Sequence, residues 1–220
     1  MTMNTNDLID SLAKDLDPVQ PLPRPGKRAA VWLFGAIVYL AVVSFGFSSF
    51  GQAMDGVDRG FLQTQLIGVA AGILAAIAAF ASVIPGYSKR VLIWPAIATF
   101  AWLAVFLYAS LSNGPQPNVL AASHEWVCVA VILVGGAPLV AALAVMLRRG
   151  APLNPMLTAL LGALAVGLLA NFGACISRPH PENAVTLAWH GGALIALAFA
   201  CIAGSRSVLN WGSLQNTKRG

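Results

Sequence analysis

The sequence predicts an all-α polytopic membrane protein, a bundle of six transmembrane helices preceded by a short amphipathic helix. Three observations carry this expectation. Of 220 residues, 58% are hydrophobic and 10% are charged, where a soluble domain carries about 25% charged residues. The mean hydropathy is +0.75. The charges that do occur fence off six long charge-free runs, each able to supply the roughly 20 apolar residues that cross a hydrocarbon core. A soluble monomer of this size leaves too much surface exposed to hide such a composition. Intrinsic disorder and nucleic-acid domains that work through a basic face are excluded on the same grounds.

The first element is the leader, residues 1–28. Thr5 or Asn6 can cap a helix beginning at Asp7, whose carboxylate suits the positive end of the helix dipole. Leu8, Ile9, Leu12 and Leu16 fall on one apolar stripe, with Asp7, Asp10, Lys14, Asp15 and Asp17 mostly elsewhere. Pro18 ends the helix, and Pro21–Gly26 reads as a stiff extended tether. A helix of about 12 residues is marginal alone in water, so it needs a surface to dock on. A membrane-surface helix would be rich in Lys and Arg; this one is acidic and is repelled by anionic lipid. Two surfaces stay open: the protein's own loops, or the groove of a basic soluble partner.

The six spans are expected near 31–50, 62–84, 91–110, 125–147, 155–176 and 185–204, within a transmembrane domain of residues 29–205, followed by a tail of residues 206–220. An even number of spans puts both termini on one side. That side then holds 11 of the 13 basic residues, leaving only Arg59 and Arg178 opposite. By the positive-inside rule both termini are cytoplasmic. The first span is not a secretory signal, because it follows a polar leader and is too long for an h-region.

Within the spans, Gly68 and Gly72 form a small-xxx-small pair, and Gly192, Ala196 and Ala200 repeat the spacing in the sixth span; both predict close helix packing. No ionisable residue sits at a predicted midplane, where proton and ion routes usually place one. Asn171 is the deepest strongly polar side chain, expected to bridge helices. His124, His180 and His190 map to the outer ends of helices or to outer loops, as do Cys128 and Cys175; Cys201 lies near the inner end. His124 and Cys128 are four apart and share a helix face. With His180 or Cys175 they could hold a soft metal, or the cysteines are small buried apolar residues. No nucleophile–base set, phosphate loop or carboxylate pair appears.

The run Asn6-Asp7-Leu8-Ile9-Asp10-Ser11-Leu12-Ala13-Lys14-Asp15-Leu16-Asp17-Pro18-Val19, followed by Pro21-Leu22-Pro23-Arg24-Pro25 and six spans, resembles the NrsF family of bacterial anti-sigma factors. The resemblance extends to Cys128, Pro138, Arg148-Arg149-Gly150-Ala151-Pro152 with Pro155, Pro181-Glu182 and Trp189. It implies a non-enzymatic inner-membrane regulator that holds an extracytoplasmic-function (ECF) sigma factor inactive. The leader, through Asp7, Leu8, Ile9, Leu12, Asp15 and Leu16, would be the sigma-binding element, released by a metal or oxidant stress signal. Membrane lipid is the other expected partner; direct nucleic-acid contact and a resident cofactor are not expected. The family's second outer cysteine directly precedes a Pro-Glu pair, where this chain has His180. Cys128, Cys175, His180 and His124 are therefore the candidate signal-sensing residues, with His124, Cys128 and His180 as candidate ligands of a regulatory metal. The competing readings are a membrane thiol–quinone oxidoreductase and a small-solute carrier. The first would need a reactive thiol pair, and the second would show helices broken at matched positions.

Overall fold

The computed structural model describes residues 5, 9, 13–14, 22–47, 59–112, 126, 128–150, 152–177 and 184–209. Among them there is no strand, and six helices are long and apolar enough to cross a membrane. They are α1 (Pro25–Phe47), α2 (Arg59–Ala81), α3 (Ile93–Ser112), α4 (Cys128–Arg148), α5 (Pro155–Ser177) and α6 (Ala184–Val208). A 3₁₀ turn, Lys89–Leu92, leads into α3, with the Ser88 hydroxyl accepting from the Arg90 N–H. The chain is an all-helical membrane protein.

Helix starts follow local chemistry. Pro25 and Pro155 occupy the first helical positions of α1 and α5, where a missing N–H costs nothing. Asn154 caps α5, its Oδ1 accepting from the Leu157 N–H at 3.1 Å. Helix α1 therefore starts at Pro25, not near residue 31, and the extended tether loses Pro25 and Gly26 to it. The shift arises because Arg28, expected in solvent, is only 7% exposed. In the leader, Thr5 is helical, which is not the backbone conformation of a capping residue, and Asn6 and Asp7 lie outside the described residues.

Helix α4 opens with a π-helical turn, Val131–Gly135, directly before Gly136-Ala137-Pro138. Pro138 has no N–H to give to the Val134 carbonyl and its ring crowds that oxygen. A wider turn at this point makes room for it.

Helix α5 is the centre of the bundle. In α5, 72% of the membrane window is buried, and in α2 61%, against 17–28% for the other four helices. The centre is built on absent side chains. A Cβ at Gly162 would lie 3.0 Å from Leu143 of α4, at Gly167 2.4 Å from Leu194 of α6, and at Gly173 3.2 Å from Leu40 of α1. Three glycines thus seat three leucines from three helices. Across the fourth side, α2 brings Ala71, Ala75, Ala76, Ala78 and Ala79, all fully buried.

The small-residue pairs resolve unequally. Gly68 faces the Trp102 indole of α3, while Gly72 faces Ala165, Leu168 and Leu169 of α5. The Gly68/Gly72 spacing thus serves two neighbours. Gly192 meets nothing within 4 Å, so the run through Ala196 and Ala200 is not a helix-packing seam.

At the end carrying residues 24–28 and 148–154, Arg28 joins three elements. Its guanidinium donates to the Met146 carbonyl, one of the last carbonyls of α4 and so without a helical partner. It also lies 5.1 Å from the centre of the Phe80 ring. Gly150 lets this joint close, since a Cβ there would meet Val83 Cγ1 at 2.6 Å and an Arg28 nitrogen at 3.3 Å. Val83 is β-branched and stiff. Gly150→Ala is therefore expected to lower the thermal midpoint in detergent, at a cost of about 1–3 kcal/mol. Val83→Ala in the same chain is expected to recover most of that loss; simple addition of the two losses would show that the two residues do not compete for space.

Candidate functional site

At the opposite end, α5 and α6 run antiparallel and meet through polar side chains. Asn171 sits six residues from the end of α5 and His190 six residues into α6, which places them at equal depth. They bond directly: His190 Nδ1 lies 2.7 Å from Asn171 Oδ1. An amide oxygen only accepts, so Nδ1 carries the hydrogen. Cys175, one turn beyond Asn171 on the same face, places its Sγ 3.8 Å from the same ring nitrogen. All three are shut away from the surroundings, at 2%, 0% and 2% exposure for Asn171, His190 and Cys175. Polar groups at this depth stay only where protein satisfies them.

The other thiol belongs to α4 and packs against a neighbouring face of α5. Cys128, 4% exposed, shares an apolar cluster with Ile132, Ala170, Ala174 and Ala193. No disulfide joins Cys128, Cys175 and Cys201. The two cysteines thus have different surroundings: Cys128 of α4 lies in an apolar cluster, and Cys175 of α5 lies beside an imidazole and an amide.

Of the expected sensing residues, the structure brings Cys175 together with His190 and Asn171, and buries Cys128 nearby. His124 and His180 lie outside the described residues, so the metal set His124, Cys128 and His180 is not displayed; no group of three or more His, Cys, Asp or Glu gathers among the described residues. In the leader, Ile9 is helical and 57% exposed, while Asp7, Leu8, Leu12, Asp15 and Leu16 lie outside the described residues. The expectation that Asn171 bridges helices is met. His190, absent from the candidate sensing set, is its partner.

The family model described as NrsF, negative regulator of sigma F, matches residues 12–211. The chain belongs to the NrsF family. That family is one of negative regulators of a sigma factor, and a sigma factor is the partner its description names. No curated protein and no solved structure matches the chain. The span matched in this NrsF protein begins within the leader and runs past Leu209 at the end of α6, so the Asn171–Cys175–His190 cluster and the Arg28 joint both lie inside it.

Asn171→Leu is expected to lower the thermal midpoint, with a cost of about 0.6–2 kcal/mol for an interhelical hydrogen bond in a membrane protein. His190 would lose its bond to the Asn171 oxygen, so the double change Asn171→Leu/His190→Met should cost no more than Asn171→Leu alone. A double variant much less stable than either single change would show that His190 and Asn171 act independently.

Proposed function

We propose that this chain is a membrane anti-sigma factor that sequesters an ECF-type sigma factor at the inner membrane and releases it on an envelope stress signal. Both termini lie in the cytoplasm on this reading, because 11 of the 13 basic residues fall on that side. The leader is the holding element. Its apolar stripe, Leu8, Ile9, Leu12 and Leu16, flanked by the acidic Asp7 and Asp15, suits a basic groove on the partner. Ile9, helical and exposed, leaves its side chain open to one.

The sensing end is the Asn171–Cys175–His190 cluster, and the shared nitrogen is the observation that carries this part of the reading. An imidazole nitrogen bound to a soft metal cannot also donate to Asn171. A metal ion taken by the Cys175 thiolate and His190 Nδ1 would displace the thiol proton to water, while the neutral imidazole would carry its hydrogen on Nε2 instead of Nδ1. It would replace the α5–α6 hydrogen bond with a bond to the ion. Cys128 and His180 are the further candidate ligands.

The test is affinity capture from cytosolic extract with the detergent-solubilised chain. The full chain is compared with one lacking residues 2–20 and with Leu12→Asp/Leu16→Asp, and bound proteins are identified by mass spectrometry. A sigma factor held by the full chain alone is the expected result. Hot-spot side chains cost about 2 kcal/mol when lost, so the double variant should bind at least about thirtyfold more weakly. Equal capture by all three chains would remove the leader from the interface. A normal metal response in Cys175→Ser and His190→Phe would remove the cluster from sensing.

A further inference from the structure

An apolar groove of about 770 Å³ runs down the outside of the bundle between α4 and α6, with α5 as its floor. On α4 its wall includes Leu133, Ala137, Ala141, Ala144 and Arg148. These residues fall on one helix face and span about 22 Å at 1.5 Å per residue. The facing wall on α6 includes Ala196, Ala200, Gly204 and Ser205. Gly162 and Ala163 lie on the floor. The groove is therefore long, walled by alanine and glycine interleaved with leucine and valine, and parallel to the helices, and it covers most of a hydrocarbon core about 30 Å thick.

The small residues of α6 that make no packing seam are the ones that line this groove. Its depth decides what can fill it. Water gains nothing against such walls. An acidic helix such as the leader would carry carboxylates into hydrocarbon at high cost. A second copy of the chain, related by a twofold axis along the membrane normal, brings equal depths together. Arg148 would then face Arg148, with Arg149 and Arg206 adding to the repulsion. The described residues contain no Asp or Glu at all to relieve it.

That same imbalance identifies the occupant. The groove ends at Arg148, beside Arg149, and Ser205 on the other wall precedes Arg206. We propose that the groove is a binding site for an anionic phospholipid. Its acyl chain lies along Ala137–Ala144 and Ala196–Gly204, and its headgroup phosphate is held at Arg148. Basic pockets between helices at the membrane surface hold anionic headgroups in this way. The volume falls in the range of roughly 300–1,000 Å³ usual for small-molecule sites. This site is separate from the thiol cluster and does not depend on sigma-factor binding.

The full chain, in vesicles of phosphatidylethanolamine and phosphatidylglycerol, is exposed to phosphatidylglycerol with a photoreactive diazirine in its acyl chain, and labelled peptides are mapped. Label should concentrate within residues 133–148 and 196–209. Unlabelled phosphatidylglycerol should compete at least about fivefold better than phosphatidylcholine, the factor one basic contact supplies. Arg148→Gln should erase that preference while leaving the label in place. Ala200→Phe and Ala141→Phe, which fill the groove from opposite walls, should each remove the label at an unchanged thermal midpoint. Label spread evenly over these helices and the exposed Ile97 and Phe100 of α3 would overturn the site, as would full labelling of both filled variants. An unchanged preference in Arg148→Gln would overturn the headgroup assignment.

Discussion

The fold depends on the bare backbone of α5. In lipid, helices gain little from hiding apolar side chains from one another, because the solvent is apolar too; they associate by close contact. Gly162, Gly167 and Gly173 allow that contact with α4, α6 and α1 in turn, each accepting a leucine where a side chain would stand. The alanine face of α2 closes the remaining side. One helix is thereby in contact with four others, and the polar ties follow from that proximity. Ser44 donates to the Gly173 carbonyl at 3.2 Å, and the Ser82 and Thr158 hydroxyls meet at 2.9 Å. Such bonds become available only once the backbones are near.

The six spans were legible because charges interrupt the sequence only between them, and a charge-free run of sufficient length has one stable destination in a bilayer. The start of α1 was not legible, for the same reason: a rule that reads Lys27 and Arg28 as solvent charges starts the helix too late. Arg28 escapes the rule because a carbonyl at the end of α4 and an aromatic ring receive it, and neither is visible in the local sequence. The Gly68/Gly72 pair shows a similar limit. Spacing reports that a helix face is small but not how many neighbours share it; here Trp102 takes one glycine and α5 the other.

The thiol cluster was half legible. Asn171 stood out as a lone deep amide, and an amide in a span needs a partner. Antiparallel helices joined by a short loop bring residues equally far from that loop to one depth, and His190 is the residue that this count selects. Attention to His180, through its place before Pro181-Glu182, drew the expectation toward the loop and away from the helix. The apolar stripe of the leader is read from the sequence pattern alone, and Ile9 is the one member of it that the structure describes.

These contacts also say which element has freedom to respond. Helix α5 cannot move without disturbing four neighbours, whereas only 22% of α6 is buried. Helix α6 is held on α5 near its start by His190 and Leu194, and further along Leu197 and Leu209 join the main core, while Ala196, Ala200 and Gly204 border the groove. Loss of the Asn171 bond would therefore loosen α6 first. The far wall of that groove is α4, and α4 is the helix to which α1 is tied, by Trp32 to the Leu139 carbonyl at 3.3 Å and by Arg28 to the Met146 carbonyl. Arg28 stands four residues from Arg24, where the leader ends and α1 begins. A displacement of α6 would reach α1 through α5 and also through the lipid proposed for the groove, which gives that lipid a place between the thiol cluster and the leader proposed to hold the sigma factor.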